Sequence, residues 1–448
     1  FTLPLMEELH SFCLADETGR ELLRYEKPAE QVLQELPATI PDNPTLDQLK
    51  TSQELYLLGV HVAQYRDPAI RPAAYWQEAL RREPDHLPSL IALASDELAH
   101  FRPKKAWELA QHAWRVATVR NFHPESGELD YLRGRILEAL HKPEEALDAY
   151  LQAAWTQDAR SRAMTRAAMV ELRLCRWHDA LSHAEEALRQ HAHNETAMLV
   201  RIVALRHLGS PQAEAALAAA EAFDRLNVTL RALKYGATPA LYATLQSDPC
   251  QSALDMAQDL SDLGETALAA AILGDLPQPC AMAAYVRAFL AGDTAAWASA
   301  GKLPIGIAYP LRPLEHQALT AALAANPQDA IALNLLGCLT YHTENYEHAA
   351  ALWEQAVKAD PAQYMAYRNL AVAYYSHLGH PEKALPLLEK ALALHPDDGQ
   401  LVWEKGYLMT RLHAGYCRIP CKVGYNTRGC GAGTLPGAEP CRAARTGT

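Results

Sequence analysis

The sequence predicts an all-α fold, an α-solenoid built from antiparallel helix pairs, and three observations carry that prediction. The first is a repeat. Leu336-Gly337 is followed by Ala349, Trp353, Ala356 and Pro361, and Leu370-Ala371 by Tyr374, Ala384, Leu388, Ala391 and Pro396. Leu336 to Leu370 is 34 residues, and Ala356 to Ala391 and Pro361 to Pro396 are each 35. The second is its spread along the chain: Trp76, Ala79 and Pro84 reproduce the spacing of Trp353, Ala356 and Pro361, and Ala79 to Ala113, Ala146 to Ala180 and Ala153 to Ala187 are each 34. The third is composition. With 49% hydrophobic and 21% charged residues, in Ala-rich runs of helical character, the chain reads as a folded, nearly all-helical protein.

The spacing has a physical reason. Small residues at Gly337 and Ala349 let two antiparallel helices approach closely, while Trp353 and Tyr374 are expected to fill the space between units. Pro361 and Pro396 end each second helix, because proline lacks an N–H and clashes with the preceding turn. A two-helix unit recurring every 34 residues with these residue types is the pattern of a tetratricopeptide repeat. A solenoid of this kind grows by adding units, so 448 residues set no domain count.

Taken in order, the chain divides into five stretches. Residues 1–44 hold a weakly alternating segment around Glu17-Thr-Gly, read as a β-hairpin remnant, and then a linker with Pro28, Pro37, Pro41 and Pro44. A hairpin is not stable alone in water, so a sheet that it joins is expected elsewhere. Residues 45–227 carry the N-terminal repeats, opening at the capping box Thr51-Ser-Gln-Glu54. Residues 228–313 stay helical and Ala-rich but align at no fixed period, and read as a divergent bridge. The pattern returns over 314–412, where the last helix, Leu401 to Leu412, has no partner to cover one face. Residues 413–448, rich in Gly, Cys and Arg, read as a disordered tail or the product of a reading-frame change. The abrupt shift of composition where a partner helix is required favours the latter.

Charge and cysteine usage exclude several functions. The net charge of −12 disfavours nonspecific binding to nucleic acid or to an anionic membrane, and no apolar run reaches the roughly 20 residues of a membrane span. The chain opens at Phe1 without the basic and apolar regions of a signal peptide, and a start further upstream is expected. Cys13, Cys175, Cys250, Cys280 and Cys338 are scattered singly, which reads as unpaired thiols in a reducing compartment, hence the cytoplasm. Cys417, Cys421, Cys430 and Cys441 lack the paired spacing of a zinc knuckle, and His61, His86, His100, His112 and His123 lack convergent spacing, so no metal site is read. Without a P-loop, a dinucleotide fingerprint or a G-x-S-x-G turn, no cofactor and no catalytic residue is assigned.

What remains is a binding surface. First helices of such repeats line the concave groove, and by register they show Gln53, Tyr56, Gln64, Glu128, Tyr131, Arg135 and Glu138, then Asn334, Tyr341, Arg368 and Tyr375. Tyr56, Tyr65, Glu128, Tyr131 and Arg135 are taken as the docking groove, because mixed aromatic and polar residues suit a peptide or a docked domain. Glu125, Glu128 and Asp130 also cluster, as a pair for glycosidic acid–base chemistry would.

Longer stretches carry a more specific likeness. Gln64-Tyr-Arg-Asp-Pro with Tyr75-Trp-Gln-Glu-Ala-Leu-Arg-Arg-Glu-Pro84, together with Pro124 to Tyr131, Tyr309-Pro-Leu-Arg312 and the repeats at 329–396, resembles a bacterial family. Its members join a β-sandwich domain of unknown function, similar to galactose mutarotases, to a long tetratricopeptide array. The resemblance implies that this chain is the helical part of a carbohydrate-associated protein and an interaction scaffold. Its implied partner is its own N-terminal β-sandwich domain, or else a separate protein or peptide. The alternative it implies is a glycan-acting enzyme whose active site another domain completes.

Overall fold

The computed structural model describes residues 11–26, 43–65, 70–122, 124–245, 248–306 and 308–413. The linker residues 27–42 and the cysteine-rich residues 414–448 lie outside these, and with them the expectations placed there. The chain forms two compact units, residues 1–49 and 50–448.

In the first unit β1 (Ser11–Ala15) pairs antiparallel with β2 (Glu21–Glu26), with a register shift between Leu14 and Ala15. The Asp16 carboxylate accepts the backbone N–H groups of Thr18 and Arg20 at 2.9 and 3.0 Å, and Gly19 supplies the positive φ of 83° that closes the turn. Every residue of β2 is exposed. Successive strand side chains point to opposite faces, so this hairpin covers neither face of its own.

The second unit is helical. Its pairs are α1 (Ser52–Tyr65) with α2 (Pro72–Arg82), α3 (Leu87–Ala99) with α4 (Pro103–Thr118), α5 (Glu128–Ala139) with α6 (Pro143–Ala153), α7 (Arg160–Arg173) with α8 (Trp177–Gln190), and α9 (Glu195–His207) with α10 (Ala213–Phe223). Across the divergent segment run α11 (Val228–Tyr235), α12 (Pro239–Tyr242), α13 (Pro249–Asp262), α14 (Thr266–Gly274), α15 (Ala281–Ala291) and α16 (Trp297–Ala300), then α17 (Pro313–Ala325). Regular pairs resume with α18 (Ala330–His342) and α19 (Tyr346–Ala359), α20 (Tyr364–Ser376) and α21 (Pro381–Leu394), and the last described helix is α22 (Gly399–His413). Proline at the first turn starts α2, α3, α4, α6, α13, α17 and α21, where its missing N–H has no helical acceptor to lose. At the head of α1 the predicted capping box forms: Glu54 N–H donates to Thr51 Oγ1 at 3.1 Å, and the Glu54 carboxylate accepts from Thr51 N–H at 3.0 Å.

Inside a pair, a glycine of the first helix lies under an aromatic ring of the second. A Cβ on Gly59 would meet Trp76 at 2.4 Å, one on Gly134 would meet Tyr150 at 2.5 Å, and one on Gly337 would meet Trp353 at 2.5 Å. Trp353 therefore fills the space within its own pair, not between units as its sequence position suggested. Its indole N–H donates to the Asn334 carbonyl at 3.1 Å, and Trp76 makes the same bond to Tyr56 at 3.3 Å. The turn between paired helices is also a repeated device. Phe101, His141, Cys175 and Glu344 take φ of 57° to 59°, and Gly209, Gly264 and Gly379 also have positive φ in the turns after their helices. After all of these but Gly379, the next N–H reaches back to the carbonyl five residues earlier, as in Lys142 to Leu137 at 2.9 Å and Glu265 to Leu260 at 2.8 Å. The divergent segment keeps this turn at Gly264, although its helices are shorter.

Two expectations are corrected. Cys250 and Cys280 are bonded to each other, tying the head of α13 to that of α15 across 30 residues, whereas Cys13, Cys175 and Cys338 are free. Asn334, placed in the groove by register, is fully buried, because α18 is covered nearly all round. On the last described helix, Val402 and Trp403 of α22 are 53% and 59% exposed. Among the described residues no helix is long and apolar enough to cross a membrane.

Gly337→Ala should destabilise by about 1–3 kcal/mol despite alanine's better helix propensity, because the buried indole of Trp353 has nowhere to move. Urea unfolding monitored by circular dichroism reads it. His141→Gly, at an exposed left-handed turn residue, should instead stabilise by about 0.5–1 kcal/mol by relieving the Cβ strain; a lower melting temperature would contradict the turn assignment.

Candidate docking surface

The face built by α5 and α7 holds three of the five residues taken as the docking groove. Glu128 opens α5, Tyr131 lies one turn on, and Arg135 another turn on, exposed. The Arg162 guanidinium of α7 lies 4.7 Å over the Tyr131 ring and pairs with the Glu128 carboxylate, so Glu128 and Tyr131 are joined through a residue that sequence reasoning missed. Tyr131 also packs against Tyr150 with ring centroids 5.7 Å apart. The other two lie on α1. Tyr56 meets His86 edge-on at 6.1 Å, and Tyr65, 75% exposed, lies 4.5 Å from His61. The five thus lie on two helices, three on α5 and two on α1.

Further along the same helices the charges sink inward. Glu138 of α5 accepts from Arg166 at 2.7 Å and also from Arg173 and from the Tyr150 hydroxyl. Burial alone would raise the Glu138 carboxyl. The charges of Arg166 and Arg173 and the hydrogen bonds of Tyr150 and Arg166 outweigh it and hold the group below the usual carboxylate range. Burial, followed by the Glu138 charge, pushes the Tyr150 phenol well up. Arg173 donates in addition to the Asp262 carbonyl at 2.9 Å, which fastens the end of α13 to α7. Burial raises the Asp262 carboxyl, and the two arginines oppose the shift only in part. This end of the face is a fastening, with its donors and acceptors committed.

The carboxylates near the α4–α5 loop go to different partners. Asp130, 3% exposed, binds Arg133 at 2.8 Å, and Arg133 in turn lies 4.1 Å over Trp114. Glu128 is committed to Arg162, and Glu125 is exposed. Among the described residues no group of three or more His, Cys, Asp or Glu side chains is arranged to hold a metal ion.

Glu138→Gln keeps the shape of the side chain but leaves Arg166 and Arg173 without their shared carboxylate. The expected loss is about 2–4 kcal/mol of folding stability by denaturant titration, below the full value for a buried pair because both guanidiniums keep some solvent contact.

The family model described as "Tetratricopeptide repeat" matches residues 106–161, 165–226 and 341–399. Among solved structures, the chain is similar to YrrB, described as a TPR protein with an unusual peptide-binding site, at 17% identity and a TM-score of 0.34, covering 40% of this chain and 90% of that one. It is similar to MamA at 16% identity and a TM-score of 0.34, over 41% and 94% of the two chains. A tetratricopeptide repeat protein from Parabacteroides merdae aligns at 12% identity and a TM-score of 0.35, over 72% of this chain and 98% of that one. The repeat period, the helix-pair geometry and the family match together show an α-solenoid that carries tetratricopeptide repeats.

Proposed function

We propose that this chain is a protein-docking scaffold whose partner seats on the α5–α7 face at Tyr131, Arg162 and Arg135. One observation carries the reading: Arg162 is held between the Tyr131 ring and the Glu128 carboxylate, beside an exposed Arg135. Tyrosine and arginine supply most of the energy at protein interfaces, and a guanidinium whose position is already fixed loses little side-chain freedom on binding. The two-stranded sheet of the first unit, exposed on both faces, supports a partner that contains the rest of that sheet. Its own β-sandwich domain is therefore the partner we favour, and association with carbohydrate would enter through that domain. Commitment of Glu128 and Asp130 to arginines counts against a glycan-cleaving site on this face. The Cys250–Cys280 bond takes away part of the support for a cytoplasmic setting, since bonded cysteines persist in oxidising compartments.

Isothermal titration of this chain with the separately expressed β-sandwich domain of the intact protein tests the reading. Binding is expected, weakened about fivefold or more by Tyr131→Ala and by Arg135→Glu, and unchanged by Tyr375→Ala on α20. Arg135 is exposed, so its substitution separates lost docking from lost folding. Absence of binding, or equal losses at Tyr131 and Tyr375, would remove the proposal.

A further inference from the structure

A second surface lies between two second helices, over the first helix that separates them. Between α19 and α21 runs a groove of about 450 Å³, floored by Tyr367, Leu370 and Tyr374 of α20. Its walls are Val357 and Leu387, and its rim carries Lys358, Lys383 and Lys390. Each floor tyrosine has an ammonium over its ring, Lys383 5.3 Å from the Tyr374 centroid and Lys390 5.6 Å from that of Tyr367. None of the three lysines is paired with a carboxylate among the described residues. The single acid in the lining, Glu354, instead accepts from the Tyr374 hydroxyl at 2.5 Å, which fixes the floor ring. Pro386 contributes to the same opening: it stands inside α21, and without its N–H the Glu382 carbonyl loses its helical donor.

We propose that this groove docks an acidic amphipathic helix of a partner protein, independently of the α5–α7 face. The ligand chemistry follows from the lining. Three unpaired ammonium groups in a chain of net charge −12 form a local positive rim, which selects carboxylates. The apolar floor and walls between them select an aliphatic or aromatic side chain flanked by those carboxylates. Lys383 and Lys390 are seven residues apart on one helix, about 10 Å along its axis, so the matching acids sit two turns apart with an apolar residue between. The chain's own last stretch does not fit, because residues 416–448 carry five basic residues against Glu439 alone.

The test uses a fluorescein-labelled, covalently stapled helical peptide of about 14 residues with Glu at positions i and i+7 and Leu at i+3 and i+4, titrated with the full chain by fluorescence anisotropy. Wild type is expected to bind, with affinity falling as salt is added. The double variant Lys383→Glu with Lys390→Glu should bind about tenfold more weakly or worse, with an unchanged circular dichroism spectrum. A peptide carrying Lys in place of both Glu should regain binding to that variant but not to wild type. No binding, or equal binding by the double variant, overturns the proposal. So does a loss caused by Tyr131→Ala, which would place the peptide on the other face. Preferential, lysine-dependent binding of phosphatidylserine vesicles or duplex DNA, or lysine-dependent self-association in sedimentation, would reassign the groove to those occupants.

Discussion

The contact between a glycine on one helix and an aromatic ring on the next sets the geometry of three helix pairs spread along this array. An α-helix has a ridge of Cβ atoms on every face, and a ring as wide as indole reaches a partner backbone only where one Cβ is missing. Gly59, Gly134 and Gly337 provide that gap for Trp76, Tyr150 and Trp353. The indole N–H groups then bond to first-helix carbonyls, so the large buried ring leaves no unsatisfied donor. Interaxial distance and rotation in these three pairs follow from this contact, and the small buried residues Ala79, Ala113, Ala146, Ala349 and Ala384 let second helices pack closely here and in the other pairs.

Once pairs of fixed geometry stack, the repeat period becomes a contact rule. A first-helix residue faces its counterpart about 34 positions on, and the polar bonds along that face follow the interval. Glu128 meets Arg162, Glu138 meets Arg173, and Asn334 Oδ1 accepts from Asn369 Nδ2 at 3.3 Å. Partners 34 or 35 residues apart can bury charge because they arrive at a distance set by the helices beneath them. The Glu138 network is the strongest case, since it also recruits Asp262 and so carries the fastening into the divergent segment. On α5 the exposed Arg135 stands outside these pairs.

The same rule explains what could be read from the sequence. The helix pairs outside the divergent segment were legible because small residues, aromatics and prolines must recur for stacking to work. The pairing of Glu128 with Arg162 was legible in principle, at an interval of 34, but a groove reading treated each helix alone. Within 228–313 the helices are uneven in length, with α12, α14 and α16 short, so the period disappears although the left-handed turn survives at Gly264. The Cys250–Cys280 bond was hidden for the same reason, because only stacking brings two scattered cysteines together. Asn334 was misplaced because register gives the side of a helix but not what covers it. The groove over Tyr367 and Tyr374 had no sequence signature, since Lys358, Lys383 and Lys390 read as ordinary solvated charges.

Strained turns show where stacking gives way to a longer-range constraint. A non-glycine residue in the left-handed region costs about 1–2 kcal/mol, and glycine at Gly209 and Gly264 shows that the turn accepts the cheaper residue. His141 is exposed at such a turn, and the structure offers no compensation there. Phe101 and Glu344 differ, because each uses its turn to reach a distant part of the second unit. Phe101 stacks on His316 with centroids 5.1 Å apart, and Glu344 binds Arg71 at 3.0 Å while Arg71 lies 5.0 Å over Tyr346. These contacts join the first two helix pairs to α17 and the α18–α19 turn, more than 200 residues away in sequence. At that junction a cavity of about 320 Å³ has Arg71, Arg102 and His100 already bound to Glu344, Glu97 and Asp96. An exposed ion pair alone contributes little, and beside it Phe101 stacks on an imidazole whose burial holds it below the usual histidine range. The array therefore winds until its early and late pairs meet, and strain at two turn residues is retained where the side chain that a glycine would lack makes the meeting contact.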